Sequence, residues 1–490
     1  MTRNSSKRLK YAIITRMNPA CLIRYHITLL QLEQYDLPRY FGVLARRYSI
    51  STDMRQKAVW TAKLKAITLL AILFAAGVTG LAIYFFSAVA AGIVAIANLF
   101  MAPAYLALAV LATSPIDSLA KKRIINKAKR KLGKFPNLKI VAITGSYGKT
   151  TMKAVLATIL AERFPTLATP ESVNTPVGVA RFISEKVTTE IEVLIVEMGA
   201  YHIGDIRELC ALTPPDIAVL TGINEAHIER FGSIANTVNA KFEIVRHAKK
   251  EAVAILNVED KRVRTEYAEN LQGRTAIFYG DVTGDMTRYG IADVRFEPDG
   301  LRQSFSLTNA HGEAYRLTTP LLGGYAPATL MGAVCVAETL GMTRAEITHG
   351  VAMARPVAHR LQPFNAASGI LVIDDSYNGN PDGAREAVRV LARFKNKRKI
   401  YVTPGLVEMG LRNAEIHRAI GTDLASVADI VILIKNSATG SIAEGLKSGD
   451  FKDKDILWFD TATEAHAALP AILKSGDVVL FQNDWPDNYL

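Results

Sequence analysis

What this sequence lacks is unevenly distributed. From Ala66 to Thr113, forty-eight residues, there is no Asp, Glu, Lys or Arg. So long a stretch without charge excludes an ordinary solvated surface, because a helix of a soluble protein normally shows a polar face. Acidic residues are also scarce on either side of it. Met1 to Lys65 carries thirteen Lys/Arg against three Asp/Glu, and Ser114 to Lys139 carries nine against one. The formal charge of +12 therefore belongs to these flanks, and the rest of the chain is net acidic. That distribution argues against a nucleic-acid-binding surface, and no nucleic-acid partner is expected. Cysteine is nearly absent. Cys21, Cys210 and Cys335 stand far apart, so they offer neither metal-ligand spacing nor a disulfide framework, and a reducing compartment follows. No cleavable leader is expected either, since sixty-five residues rich in charge precede the apolar run.

A membrane helix needs about 20 apolar residues. The uncharged stretch holds two, roughly Ile67 to Phe86 and Ala90 to Leu111, joined by a tight turn. Asn98 and Pro103 fall in the second, and membrane helices tolerate both. Basic flanks put both ends on the cytoplasmic side, which a hairpin satisfies. The alternative is a buried hairpin of a soluble protein. The expected location is the inner (cytoplasmic) membrane, multi-pass, with the remaining domains in the cytoplasm and membrane lipid as a partner. The basic helix Lys121 to Lys134 would lie at the headgroups, where each Lys/Arg contributes on the order of 1 kcal/mol. Leu22 to Leu32 and Tyr40 to Tyr48 read either as short amphipathic helices on a membrane surface or as part of a solvated extension. The expected divisions are residues 1–65, a hairpin at 66–113 and a basic linker at 114–137.

Beyond the linker, one stretch organises the chain: Val141-Ala-Ile-Thr-Gly-Ser-Tyr-Gly-Lys-Thr-Thr151. An apolar run, Leu138 to Ile143, reads as a buried strand, and a helical pattern runs from Met152 to Leu160. Strand, glycine turn, Lys-Thr and helix make a phosphate-binding loop. Gly145 and Gly148 let the backbone approach a phosphate, and the helix N-terminus aims N–H groups at it. Lys149 would reach the β- and γ-phosphates, and the Thr150 hydroxyl would sit on Mg2+. Ile143 stands where the usual motif has its first glycine.

The alternation of elements predicts an α/β fold. Val193 to Val196, Ile217 to Leu220 and Val253 to Leu256 are short apolar runs of the buried parallel type. Period-two stretches, Arg302 to Leu307 and Glu313 to Thr318, predict a small antiparallel appendage, followed by a helix over Ala328 to Leu340. Arg355-Pro356 reads as a linker. Five further strands, from Ile370 to Phe481, alternate with helices and predict a second doubly wound domain. The expected domains are 138–354 and 355–490.

Further stretches carry candidate chemistry. Ile195-Val-Glu-Met-Gly-Ala-Tyr-His-Ile-Gly204 puts Glu197 at the carboxyl end of a strand, where open α/β sheets bind ligands. Ile223-Asn-Glu-Ala-His-Ile-Glu-Arg-Phe-Gly232 puts His227 just after the next strand, and Lys241 follows fourteen residues later. Val372-Ile-Asp-Asp-Ser-Tyr-Asn-Gly-Asn-Pro381 puts two Asp at a strand end in the last domain. Each alone has a bland account, as a helix cap or a structural histidine. Glu197 and His227 beside a Lys-Thr loop support one another, because metal–phosphate chemistry needs oxygen and nitrogen ligands there.

Taken together, these segments resemble the Mur ligases, ATP-dependent amide-bond-forming enzymes of peptidoglycan synthesis, and most of all their D-alanyl-D-alanine-adding MurF type. The resemblance runs from about residue 139 to about residue 421. Thr144-Gly-Ser-Tyr-Gly-Lys-Thr-Thr151 is similar to the family's ATP loop, implying ATP contacts from Gly145, Ser146, Tyr147, Gly148, Lys149, Thr150 and Thr151. Asn174-Thr-Pro-Val-Gly-Val resembles a substrate-side turn, implying Asn174 and Thr175 there, with His202 and Asn378 on the same side. Glu197-Met-Gly-Ala and Glu225-Ala-His227 resemble two magnesium-binding segments. Lys241 matches a lysine that the family carbamylates. The resemblance thus implies one Mg2+ on Thr150 and Glu197 and another on His227 and carbamylated Lys241. Arg360, in His359-Arg360, resembles the entry to the C-terminal domain and falls on the ATP side. Asp374-Asp-Ser-Tyr-Asn-Gly-Asn-Pro is very like a MurF signature whose second Asp, Asp375, contacts the ribose. Gly405-Leu-Val-Glu-Met-Gly with His417 resembles a later segment.

The chain also departs from the pattern. Tyr325-Ala-Pro-Ala-Thr329 stands where the family has His-Asn-x-x-Asn, so its base contact does not carry over. Tyr201 replaces an Asn, and Phe481-Gln-Asn-Asp-Trp485 stands where Lys-Gly-Ser is usual. No UDP-sugar-binding domain is recognisable before residue 138. The resemblance implies that a carboxylate takes the γ-phosphoryl group of ATP and that an amine then displaces phosphate. Lys149, Glu197, His227 and Lys241 are the expected catalytic set. The expected substrates are a UDP- or lipid-linked peptidoglycan precursor and an amino acid or D-Ala-D-Ala. Two alternatives remain: a polyglutamate-type or amidating ligase on this scaffold, and a membrane-anchored nucleotide-binding scaffold without ligase activity.

Overall fold

The computed structural model describes residues 19–46, 58–224, 228–280, 289–366, 368–377, 379–407, 409 and 412–483. The chain divides into two compact units, residues 1–123 and 124–488.

The first unit is helical. Helices Pro19–Leu32 and Leu37–Arg46 precede Ala62–Phe85, Ala88–Phe100 and Ala102–Leu132. The first two are not a solvated extension. Tyr25, Leu29, Leu30 and Tyr40 are buried in one core with Leu64, Ile67, Tyr105 and Leu106 of the apolar helices. The Tyr40 hydroxyl meets His26 Nδ1 at 3.0 Å inside it.

The two apolar arms run antiparallel. Lys63 Nζ lies 3.0 Å from Asp117 Oδ2, and Asn98 Nδ2 donates to Ala75 O at 3.0 Å and to Thr79 Oγ1 at 2.9 Å. The Tyr105 hydroxyl donates to Asn98 Oδ1 at 2.6 Å, so the one amide in the apolar stretch is satisfied on both ends. The second arm is not the single helix expected over 90–111. It breaks at Met101, because Pro103 lacks an N–H and enters as the first turn of a new helix. That new helix continues to Leu132, so the basic stretch expected as a separate linker is its last turns.

The second unit is built on three sheets. Six parallel strands, β1 (Lys139–Thr144), β2 (Thr166–Ala168), β3 (Val193–Glu197), β4 (Ile217–Leu220), β5 (Val253–Asn257) and β6 (Thr275–Tyr279), lie in the order β2-β3-β1-β4-β5-β6. Alternate residues serve two cores. Val141, Ile143 and Ile195 face one, with Val155 and Ile159 of helix Lys149–Leu160. Ile140, Ala142, Leu194 and Val196 face the other. Both faces are covered, which is why these strands read as unbroken apolar runs. The chain leaves β1 toward one edge and leaves β3 toward the other. The switch point is therefore between the carboxyl ends of β1 and β3, where such sheets open a ligand crevice.

The appendage is antiparallel, β7 (Gly290–Phe296), β8 (Gln303–Thr308) and β9 (Ala314–Thr319), and a helix Ala326–Thr339 follows. The third sheet has the order β10-β11-β15-β12-β13-β14, comprising β10 (Gln362–Asn365), β11 (Leu371–Asp375), β12 (Lys399–Thr403), β13 (Ile430–Ile434), β14 (Ile456–Phe459) and β15 (Val478–Gln482). All its pairings are parallel except that of the edge strand β10 with β11. Between the second and third sheets, residues 354–361 form no helix or strand.

Candidate active site

The loop after β1 is shaped by two close approaches. Gly145 has φ +154°, and a Cβ there would lie 2.1 Å from Thr221 Oγ1, so only glycine fits. Gly148, at φ +75°, is the N-cap of helix Lys149–Leu160. Neighbouring strands hold the loop. Ser146 N donates to Gly222 O at 2.8 Å, and the Tyr147 hydroxyl donates to Asp260 Oδ2 at 3.0 Å. Asp260 also accepts from Ile223 N at 2.8 Å and caps helix Lys261–Asn270. One carboxylate therefore fixes both the phosphate loop and the segment leading to residue 227.

Glu197, the last residue of β3, is 3% exposed. Thr150 Oγ1 lies 3.4 Å from its Oε1, and Asn174 Nδ2 lies 3.5 Å from the same oxygen. Lys153 Nζ lies 2.9 Å from Oε2. Burial opposes the charge on Glu197, but Lys153 and Lys149 outweigh it and hold the carboxyl below the usual carboxylate range.

Lys149 turns back on its own loop, with Nζ donating to Gly145 O at 2.8 Å. Burial lowers its pKa, against the pull of Glu197. Lys241, on helix Ile234–Arg246, is 4% exposed. Burial, reinforced by the nearby Lys149, pushes its amine well below the usual lysine range. A neutral amine is the form that can take up CO2 as a carbamate. The same helix bears Glu243, which accepts from Gly204 N at 2.8 Å and Arg207 N at 3.0 Å and so pins the turn after β3.

One cleft joins these groups. Lys149, Thr150, Asn174, Glu197 and Lys241 line it, together with Arg360 and Tyr377 from the third-sheet side. Arg360 stacks 4.8 Å from the Tyr377 ring centroid, and the Tyr377 hydroxyl lies 3.3 Å from Ser172 Oγ. A second bridge joins Asn224 Nδ2 to Asp382 Oδ2 at 3.2 Å. Asp375 sits beside Arg360 and accepts from Leu361 N at 3.2 Å, while burial pushes its carboxyl up to about 7.

Not every expected residue faces the cleft. Gly145 and Ser146 do, whereas Thr151 is buried in the helix and Thr175 is the N-cap of helix Pro176–Lys186. The His202 side chain is 58% exposed and lies 3.8 Å from Asp205 Oδ2, outside the cleft lining. His227 and Asn378 lie outside the described residues. Lys153, Asp260 and Glu243 were not among the expected site residues. Lys153 had one sequence signal, its place one helical turn beyond Lys149.

The donor set suits a magnesium–nucleotide complex. Thr150 and Glu197 offer a hydroxyl and a carboxylate oxygen, and the buried amine of Lys241 fits carbamylation. Among the described residues no group of three or more His, Cys, Asp or Glu is gathered so as to hold a metal ion, so the donors here are a hydroxyl, a carboxylate and a lysine.

Comparison with known proteins covers this region. The Mur ligase middle domain matches residues 143–337, and the Mur ligase glutamate ligase domain matches residues 359–482. The UDP-N-acetylmuramoyl-tripeptide–D-alanyl-D-alanine ligase of Haemophilus influenzae is 30% identical over 322 residues, 65% of this chain and 68% of that protein. The Escherichia coli K12 enzyme of the same name is 28% identical over 371 residues, 71% of this chain and 77% of that protein. Among solved structures, the MurF ligase of Thermotoga maritima in complex with ADP matches with a TM-score of 0.65 and 28% identity, covering 74% of this chain and 80% of that one.

Proposed function

Because this chain belongs to the Mur ligase family, we propose that its cleft joins a muramoyl-peptide carboxylate to D-alanyl-D-alanine at the expense of ATP. It is an ATP-dependent ligase of the MurF type, forming a C–N bond. The observation that carries the reading is the convergence of Lys149, Thr150, Glu197 and Lys241 on one cleft at the β1–β3 switch point, in a chain 30% identical over 322 residues to a UDP-N-acetylmuramoyl-tripeptide–D-alanyl-D-alanine ligase.

The chemistry follows from charge. A carboxylate oxygen attacks the γ-phosphorus of ATP, the bond to the β-phosphate oxygen breaks, and ADP leaves. The amine of the dipeptide then attacks the acyl carbon, phosphate departs and the amine loses a proton. Catalysis of the first step is mostly positioning and charge neutralisation. Lys149 swings from Gly145 O to the phosphates, and loop N–H groups cradle them. Arg360 approaches from the third-sheet side to balance the charge that develops on the transferred group. Thr150 and Glu197 would hold one magnesium ion, and carbamylated Lys241 with His227 would hold another. Bound there, magnesium lowers the mutual repulsion of carboxylate and triphosphate. Asp375 takes the ribose hydroxyls.

We further read residues 66–113 as a membrane anchor. Helices Ala62–Phe85 and Ala102–Leu132 are long and apolar enough to cross a membrane. Leu69, Ile72, Leu81, Ile83, Ile93 and Ile96 are all exposed, as a lipid-facing surface requires. The test supplies the full-length protein with ATP, Mg2+, D-Ala-D-Ala and a panel of UDP-linked and lipid-linked muramoyl peptides, and identifies products by mass. Phosphate release must depend on both acyl and amine substrates. ATP hydrolysis indifferent to either one overturns the ligase reading. Preference between the two carriers decides whether anchoring concentrates the enzyme at a lipid-borne substrate.

A further inference from the structure

Lys153 belongs to the first helix after the phosphate loop, one turn beyond Lys149. Its side chain is 5% exposed. Burying an ammonium is costly unless it is paired and hydrogen-bonded. Lys153 is both: Nζ lies 2.9 Å from Glu197 Oε2 and donates to Pro170 O at 3.1 Å. Glu197 thus uses its two oxygens differently. Oε2 is occupied by Lys153, while Oε1 faces Thr150 Oγ1 at 3.4 Å and Asn174 Nδ2 at 3.5 Å.

We propose that Lys153 is a positioning residue for phosphoryl transfer, which clamps Oε2 so that Glu197 offers Oε1 alone to the cation shared with Thr150. The proposal rests on the reading of Glu197 as a cation ligand. A carboxylate free at both oxygens can rotate about its last bond and chelate, or turn away. Magnesium demands a near-octahedral shell and takes single carboxylate oxygens beside phosphate and water. A clamp on the second oxygen selects that mode before nucleotide arrives. The bond to Pro170 O extends the clamp to the turn that leads to Asn174, whose amide shares Oε1. Lys153 therefore fixes the carboxylate relative to three segments: its own helix, the end of β3 and the turn after β2. A lysine acting only as a structural plug would contribute stability and nothing to the cation.

The test uses full-length Lys153→Met, Glu197→Gln and the double variant. Manganese binding in the presence of ADP is read by electron paramagnetic resonance, beside steady-state kinetics and a thermal melt. Partners that orient a metal ligand change affinity or activity by about 10–100-fold. Lys153→Met is expected to weaken Mn2+ binding by about tenfold or more and to lower kcat further than it raises KM for ATP. The double variant is expected to bind Mn2+ no more weakly than Glu197→Gln alone, since Lys153 acts through that carboxylate. Wild-type Mn2+ affinity in folded Lys153→Met, or additive losses in the double variant, overturns the proposal. Wild-type Mn2+ affinity in Glu197→Gln is a separate failure, that of the cation-ligand reading. If Lys153→Met does not fold, Lys153→Gln takes its place, and unchanged Mn2+ affinity there overturns the proposal equally.

Discussion

The backbone N–H of Leu406 donates to His417 Nε2 at 2.8 Å. The ring is fully buried, and its Nδ1 lies 2.7 Å from Asn413 O. The imidazole is therefore neutral, with its proton on Nδ1, donated to a carbonyl. His417 belongs to a segment that resembles the family, and its place in the fold is structural. Burial lowers its pKa, so the stability it contributes is present above the usual value of 6.5 and is lost as pH falls through the lowered one. His417→Phe removes the acceptor and leaves the Leu406 N–H unpaired, at a cost of about 1–3 kcal/mol. Chemical denaturation at neutral pH measures that loss, and the acid side of the stability profile should flatten in the variant.

Asp375 titrates the other way. Burial raises its carboxyl to about 7, so the nucleotide-free protein is most stable with it protonated and loses that contribution as pH rises through the raised value. Ribose hydroxyls favour the ionised form, so nucleotide binding releases a proton. ADP affinity measured by calorimetry should rise between about pH 6 and pH 8, and Asp375→Asn should remove the slope. A pH-independent affinity in the wild type contradicts the ribose role.

Lys149→Ala should abolish ATP turnover, by about a hundredfold or more, while leaving the melting temperature close to that of the wild type. The lysine's bond to Gly145 O lies inside the loop, so the sheet does not depend on it. Normal turnover in a folded variant would end the phosphate-loop assignment.

Lys241→Ala should lose activity and partly regain it when short carboxylic acids supply the missing oxygens. Wild-type protein prepared without CO2 should behave like the variant until bicarbonate is added. Full activity of the unrescued alanine variant removes Lys241 from the metal site.

Both ends of the apolar hairpin should face the cytoplasm, because Lys63 and Lys65 flank one arm and Lys121 to Lys134 follow the other. Single cysteines at positions 60 and 118, in a chain with Cys21 replaced, should resist impermeant reagents in intact cells and react after lysis. Labelling of either from outside contradicts the hairpin.

The sheets were legible because strands buried on both faces leave unbroken apolar runs, as at Leu138 to Ile143, bounded by glycine. The loop was legible because Gly145, Gly148 and Lys149 each answer a local demand of backbone or phosphate. Lys153 is not legible in the sequence because a lysine inside a helix reads as a solvated residue, and only tertiary packing sets it against Glu197. Asp260 and Glu243 read as helix acids until their N–H donors, on other segments, are seen. The break at Met101 was foreshadowed by Pro103, but the long apolar run masked it. The burial of Tyr25 and Tyr40 against Leu64 depends on contacts far apart in sequence, which no local period encodes.

The stretch before β10 has a mechanical consequence. Tyr377 N donates to His359 O at 3.2 Å, His359 Nδ1 lies 2.7 Å from Asp374, and Leu361 N is held by Asp375. Residues 359–361 are thus stitched to β11 and travel with the third sheet, leaving residues 355–358 to take up any rotation between the two sheets. In any such rotation Arg360 moves with the third sheet and not with the phosphate loop. Amide hydrogen exchange should register the division as a sharp boundary, fast at Val357 and Ala358 and slowed from Leu361 onward, with nucleotide deepening protection at Tyr377 more than at the interior of β11.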